Sequence, residues 1–340
     1  CKSDCPTGVD FAKLKAEVKY DYHEEKGTSL RTRLFGNIDR VNAIGSALAP
    51  VSNWAQKLPG SGVIAEKVLG IAPDRDLPKF SNETLVEWFD SRGPQVTEAE
   101  ADDKVFLFPD TYTNFNYPEP GKAAIEVLEA ANVHVRVLDR DEIAASGRAA
   151  FSMGLLDEAE DRARTNLDTL SPYVADGWSV LFVEPSDAVM FQDEYVDLLD
   201  DDRVEDLAVA AYGISEYLNT YRITEKIEFE TPEESLTYHG HCNQKALNRD
   251  HHAAGALAAV GYEVDALDSS CCGMAGSFGY EAEHYELSKS IGKILQEKVD
   301  SSPGETVVAP GASCRSQLAD DDFEGERPAH PVEKLREALA

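Results

Sequence analysis

Ser235-Leu236-Thr237-Tyr238-His239-Gly240-His241-Cys242 is the stretch that decides the fold. Its first four residues read as a short strand; the next four break at a glycine and deliver a cysteine. Working outward toward the C-terminus, the pattern predicts a helix over 253–260 and a strand over 262–264. A loop at Cys271-Cys272-Gly273 follows, then a helix over about 281–299 and a last strand, Thr306-Val307-Val308-Ala309. That strand runs into Pro310-Gly311-Ala312-Ser313-Cys314. Strands alternating with helices imply a parallel sheet covered by helices. Ligands of such sheets gather beyond the carboxyl ends of the strands. Each of these cysteines falls just after a predicted strand or in a crossover loop, so Cys242, Cys271, Cys272 and Cys314 are expected to converge on one edge.

The same order stands upstream. Lys104-Val105-Phe106-Leu107-Phe108 reads as a buried strand ending at Pro109-Asp110-Thr111. A helix over 122–132, a strand over 133–138, a loop over 144–148 and a helix over about 154–174 follow. A strand over 179–183 then ends at Glu184-Pro185-Ser186-Asp187. The two halves overlay: Gly147 on Gly273 and Asp187 on Cys314, at intervals of 40 and 41 residues. A shared element order at a shared period implies an internal duplication. In the first copy Ala145, Ser146 and Asp187 stand where cysteines would, and no cysteine lies near Asn114, so that half is expected to be metal-free. Before both copies, Phe11, Leu14 and Val18 fall on one helix face, and 28–70 reads as helical with breaks at Pro50, Pro59 and Gly60. The expected organisation is a helical region over 1–100, a cysteine-free repeat over 101–225 and a cysteine-bearing repeat over 226–340.

The 340 residues suffice for a substantial core, with 42% of them hydrophobic. Sixty-three acidic against thirty-two basic residues give a formal charge of −31. That excludes a nucleic-acid binder, which needs a basic face for phosphates. It suits a surface that stays hydrated at high salt, as in halophilic proteins. The acidic run over 193–206 reads as a solvated face and lacks the spacing of a calcium loop. No run of eighteen apolar residues and no signal segment appears, so the expectation is a cytoplasmic protein whose membrane contact, at the inner face, would be peripheral.

Thiolates are soft ligands, suited to iron–sulfur clusters, zinc or copper(I). Gly273, Gly276 and Gly279 permit a tight loop, and backbone N–H groups there can donate to sulfur. Three other readings compete. The thiols could be buried small hydrophobes, could form a disulfide, or could include a nucleophile paired with His239 or His241. The glycine series lacks phosphate-loop spacing. His239 and His241 are read as neighbours of the site rather than ligands. Cys1 and Cys5, with Pro6 after them, form the tail of a ferredoxin pattern, C-x2-C-x2-C-x3-C-P; two cysteines alone cannot hold a cluster. The chain opens at Cys1 and reads as a fragment or processed product.

These segments, together with Phe108-Pro109-Asp110-Thr111 and Ser313-Cys314-Arg315-Ser316-Gln317, resemble the cysteine-rich, or CCG, domain proteins. That group includes the heterodisulfide reductase B subunit, the C subunit of anaerobic glycerol-3-phosphate dehydrogenase and the glycolate oxidase iron–sulfur subunit. The chain looks most like the C-terminal part of fused FAD-binding and iron–sulfur-binding dehydrogenases of the D-lactate or D-2-hydroxyglutarate type. The resemblance implies an electron-transfer module that takes electrons from an upstream or partner FAD domain, through ferredoxin-type clusters held in part by Cys1 and Cys5, toward a quinone or other carrier. It departs from the family's C-x-x-C ending, because Gln317 stands where the last cysteine would be. Four ligands suit an ordinary [4Fe–4S] cluster or a tetrahedral zinc site. With zinc the chain would be a structural module docking a flavoprotein; with a single low-pKa thiol at Cys271 or Cys272 it would be a thiol enzyme.

Overall fold

The computed structural model describes residues 5–56, 58, 60–139, 141–320 and 327–340. Six helices come first: α1 (Phe11–Lys26), α2 (Leu30–Gly36), α3 (Ile38–Ala47), α4 (Val51–Gln56), α5 (Ser61–Leu69) and α6 (Leu85–Arg92). Asp10 caps α1 by accepting from the Ala12 and Lys13 amides. Thr84 and Glu87 form a capping box that starts α6. Few side chains in this region are buried, and α4 and α5 bury none.

The first parallel sheet holds β1 (Asp103–Leu107), followed by α7 (Thr111–Phe115) and α8 (Glu119–Ala130). It continues through β2 (Val133–Arg136), α9 (Arg148–Ser152), α10 (Leu156–Ala175) and β3 (Ser179–Phe182). After α11 (Pro185–Val189), a π-helical turn, α12 (Tyr195–Leu198) and α13 (Arg203–Ala210), a fourth strand β4 (Ala211–Gly213) leads to α14 (Ile214–Thr220). The strand order is β2-β1-β3-β4, all parallel. The three-residue β4 carried too short an apolar run to be read as a strand.

The second sheet repeats the plan: β5 (Ser235–Tyr238), α15 (Cys242–Ala246), α16 (His251–Val260), β6 (Glu263–Ala266), α17 (Tyr285–Asp300), β7 (Thr306–Val308), α18 (Ala312–Leu318) and α19 (Pro331–Glu337). Its order, β6-β5-β7, matches β2-β1-β3, again all parallel. The α/β expectation with two parallel sheets therefore holds.

A single apolar core spans both sheets: Val105, Leu128 and Val133 share it with Leu236, Leu257, Val308 and Leu335. A second core covers the outer face of the first sheet through α10, α11 and α13. A smaller one lies behind the second, around Cys272, Met274, Leu295 and Cys314. The smallest core is thus the one that holds Cys272 and Cys314.

One expectation needs correction. The acidic run over 193–206 is not wholly solvated. Glu194 and Tyr195 are buried, Glu194 pairs with Arg148 at 2.6 Å, and Lys13 holds Asp193 and Asp197 at 2.7 and 2.5 Å. These acids anchor α1 and the 148 loop to the first sheet.

Candidate metal centre

β5, β6 and β7 are parallel, so their carboxyl ends point the same way, and the loops that follow carry the cysteines. Cys242 is the first residue of α15, Cys271 and Cys272 sit in the loop after β6, and Cys314 lies in the first turn of α18. Cys272 and Cys314 are buried; Cys242 and Cys271 are partly open, and no disulfide ties them. The thiols shift one another's ionisation in a row, Cys242 to Cys271 to Cys272 to Cys314. The row splits the charge. The neighbouring Cys242 and Cys272 thiols hold the Cys271 thiol far below its ordinary pKa, and Cys272 does the same for Cys314. Cys242 and Cys272 are themselves pushed up. Two thiolates already stabilised within a four-sulfur set are a ready soft-metal donor set.

The backbone builds this set. Gly273 has φ +95°, and a Cβ there would stand 2.4 Å from the Ser288 carbonyl oxygen, so only glycine lets the loop press against α17. Its N–H donates to the Cys271 sulfur at 3.3 Å. Gly311 admits the His241 ring, whose Cδ2 would lie 2.4 Å from a Cβ. His241 in turn caps α15, its Nδ1 accepting from the Asn243 amide at 3.3 Å, which orients Cys242.

His239 is fully buried. Its Nδ1 meets Ser269 Oγ at 2.7 Å, and Ser269 is held by Lys245. Its Nε2 has no hydrogen-bond partner, and the ring helps to lower the Cys314 thiol.

Gln317 is not a spare donor. Its Nε2 donates to the Ser288 carbonyl at 3.0 Å and its Oε1 accepts from Arg75 at 2.9 Å. Arg75 also reaches Gly279 O, Ser288 Oγ and, at 2.6 Å, Asp320. This buried guanidinium pins the helical region to the cysteine loop. No sequence pattern marked Arg75, since its partners lie more than 200 residues away.

A cleft of about 1380 Å³ opens on the site. Cys242, Cys271 and Cys272 of the second repeat and Ser146 and Asp187 of the first all line it. Ser146 Oγ donates to Asp187, so this pair occupies the addresses of Cys272 and Cys314. Glu184 bridges the halves: it accepts from the Ala312 amide at 2.8 Å and lies 3.9 Å from His241 Nε2.

The donor set fits a metal group bound through sulfur. A zinc tetrahedron with Zn–S near 2.3 Å would bring its sulfurs within about 3.8 Å of one another. Among the described residues, the group whose ligand atoms all fall within 4.8 Å is Glu281, Glu283 and His284, not three of the cysteines. The sulfurs are spread more widely than zinc asks. Cys5 contacts Thr7 in its own loop at 3.1 Å and does not line the cleft; Cys1 lies outside the described residues.

Comparison with known proteins gives the family context. Residues 236–319 match the cysteine-rich domain family CCG. The chain is 27% identical over 331 residues to the C subunit of anaerobic glycerol-3-phosphate dehydrogenase from Escherichia coli (strain K12), covering 96% of this chain and 81% of that protein. It is 22% identical to D-2-hydroxyglutarate dehydrogenase of Haemophilus influenzae, covering all of this chain but 34% of that protein. Lactate utilization protein A of an Exiguobacterium species is 25% identical over 226 residues, 62% of this chain. The matched stretch runs from β5 to just past α18.

Proposed function

We propose that this chain is the iron–sulfur electron-transfer module of a flavin-dependent 2-hydroxy-acid dehydrogenase. The observation that carries the reading is the convergence of Cys242, Cys271, Cys272 and Cys314 on one sheet edge, the first three lining one cleft and Cys314 buried. In this reading those four residues hold a [4Fe–4S] cluster, which supplies one-electron chemistry when bound. The protein's own part is to favour ionisation of two of the four thiols, to aim the Gly273 N–H at the Cys271 sulfur, to set the buried His239 imidazole where it lowers Cys314, and to keep Cys314 buried. Hydrogen bonds to ligand sulfur raise a cluster's potential, so these donors would favour accepting an electron.

The rest follows the relatives. Two of them are named as a dehydrogenase or a dehydrogenase subunit, and this chain spans about a third of the longer one. FAD would sit on an upstream segment or partner, and the acceptor would be a quinone or similar carrier. Cys1 and Cys5 would belong to a ferredoxin-type site. The acidic surface would suit a cytoplasm of high salt.

Anaerobic purification followed by iron and acid-labile sulfide assay tests this. The expected result is about four of each per chain with the broad absorbance of a cluster, bleached by dithionite. One zinc per chain without sulfide would overturn the redox role and leave a structural module that docks a flavoprotein.

A further inference from the structure

Two lysines of α1 stand bare in a chain with sixty-three acidic residues to offer them. Phe11, Lys15 and Lys19 recur at four-residue spacing, so they share one face of the helix, and all three line the cleft. Lys13, on another face, is held by Asp193 and Asp197 at 2.7 and 2.5 Å. Among the described residues neither Lys15 nor Lys19 forms an ion pair. Lys19 Nζ donates to the Ser152 carbonyl at 3.0 Å instead. Glu281 acts on Lys19 through space, but its oxygens are already taken by Ser277 Oγ at 2.8 Å and His284 Nδ1 at 2.9 Å. Like charges four residues apart on a helix repel. Burial, and after it the Lys15 charge, push Lys19 below its ordinary pKa.

The backbone keeps this helix face in place. Gly154 has φ +74°, and a Cβ there would stand 2.4 Å from Lys19 Cβ, so glycine at 154 is what lets α1 sit this close. Tyr20 Oη donates to Asp157 at 3.0 Å, and His23 Nε2 meets Met153 O at 3.0 Å. The surroundings are aromatic: Phe35, Phe151 and Phe278 line the cleft together with Phe11. The Phe278 ring is itself fixed, stacked on His284 at 4.3 Å. Concave apolar walls with a few placed polar groups are how proteins hold small ligands, and here placed groups are cations. At a formal charge of −31 the chain as a whole repels anions, so bare cations draw them to this one spot only.

We infer that the cleft takes a small organic anion with an aromatic ring, its charged group on Lys15 and Lys19 and its ring among the phenylalanines. Such a molecule occupies the same cleft that Cys242, Cys271 and Cys272 line. Its role as the carrier that exchanges electrons there rests on the electron-transfer reading; its binding does not.

Equilibrium dialysis of the full chain against FMN and riboflavin tests it, because the two share one ring and differ by the phosphate. The expected result is binding of FMN about tenfold or more tighter than riboflavin. Lys15→Gln combined with Lys19→Gln should remove that margin by weakening FMN and leaving riboflavin unchanged. Lys15→Arg combined with Lys19→Arg should keep it. A circular dichroism melt checks each fold, and Lys15→Gln alone, at an exposed position, should still narrow the margin. Equal affinity for the two flavins, binding of neither, or a double glutamine variant with the wild-type margin would each overturn the inference. A zinc-loaded protein that prefers FMN would keep this site while the cluster reading fails. An iron–sulfur protein that binds neither flavin would do the reverse.

Discussion

The first and second repeats put different chemistry at the same addresses. Gly147 and Gly273 both adopt positive φ, +87° and +95°, and each presses on the fourth residue of the long helix downstream, Ala159 of α10 or Ser288 of α17. Three residues past the central strand, Asp110 caps α7 and His241 caps α15. Beside the glycine and at the last strand's end, Ser146 bonds Asp187 where Cys272 and Cys314 share one small core. The difference teaches that the backbone builds the address and the side chains decide what it holds. One copy keeps soft sulfur with stabilised thiolates; the other keeps hard oxygen and retains its protons, because burial first and the Asp110 charge second push Asp187 up.

The sharpest way to break the comparison is to cut one member of each pair. If the proposed cluster is held as described, Cys272→Ala should abolish bound iron and sulfide almost completely, since it removes a buried thiol of the proposed ligand set. Ser146→Ala should leave metal content unchanged. Equal loss in both would show that the first repeat takes part in metal binding; full retention in Cys272→Ala would remove that residue from the ligand set.

A smaller effect sharpens the claim about backbone. At Gly273 an added Cβ meets a carbonyl oxygen at 2.4 Å; at Gly147 the corresponding contact is 3.2 Å. Gly273→Ala should therefore cost about 3 kcal/mol or more, combining left-handed strain with a clash against backbone. Gly147→Ala should cost about 1–2 kcal/mol, mostly from strain. Urea unfolding of the metal-free protein measures both. A reversed order would mean the cysteine loop yields more easily than its twin.

Strand–loop–cysteine succession was enough to place Cys242, Cys271, Cys272 and Cys314 on one edge, because parallel strands leave little choice about where their loops go. The duplication was legible for the same reason, through Gly147 and Gly273. What escaped were the long-range polar ties. Arg75 looks like any surface arginine in its own stretch, and becomes a buried clamp only when Gly279, Gln317 and Asp320 arrive from the far end of the chain. Glu184 likewise reads as a turn residue, yet it spans both repeats through the Ala312 amide. Gln317 shows the limit from the other side: the missing cysteine was visible, its replacement's use of both amide ends was not.

The subtlest contrast lies in the two caps. Asp110 Oδ1 accepts from the Thr113 amide at 2.8 Å, but its buried Oδ2 has no partner. Burial, and secondly the charge of Glu184, push its pKa up to about 6. An unfolded aspartate titrates near ~3.9, so the folded state holds this proton more tightly. The stabilisation from that proton is complete below about pH 4 and is lost as pH rises through about 6. Asp110→Asn keeps the cap oxygen and removes the ionisation. Relative to the variant, the wild type should lose stability on the order of 2 kcal/mol between about pH 4 and pH 6, and run parallel to it on the acid side of that window. His241, which caps with a ring nitrogen, offers no such carboxyl, so His241→Asn should not reproduce the profile. Parallel curves for wild type and Asp110→Asn across the whole range, followed by thermal melts, would show that the first repeat's oxygen site stays ionised and hydrated, and that its difference from the thiol site is one of ligand type alone.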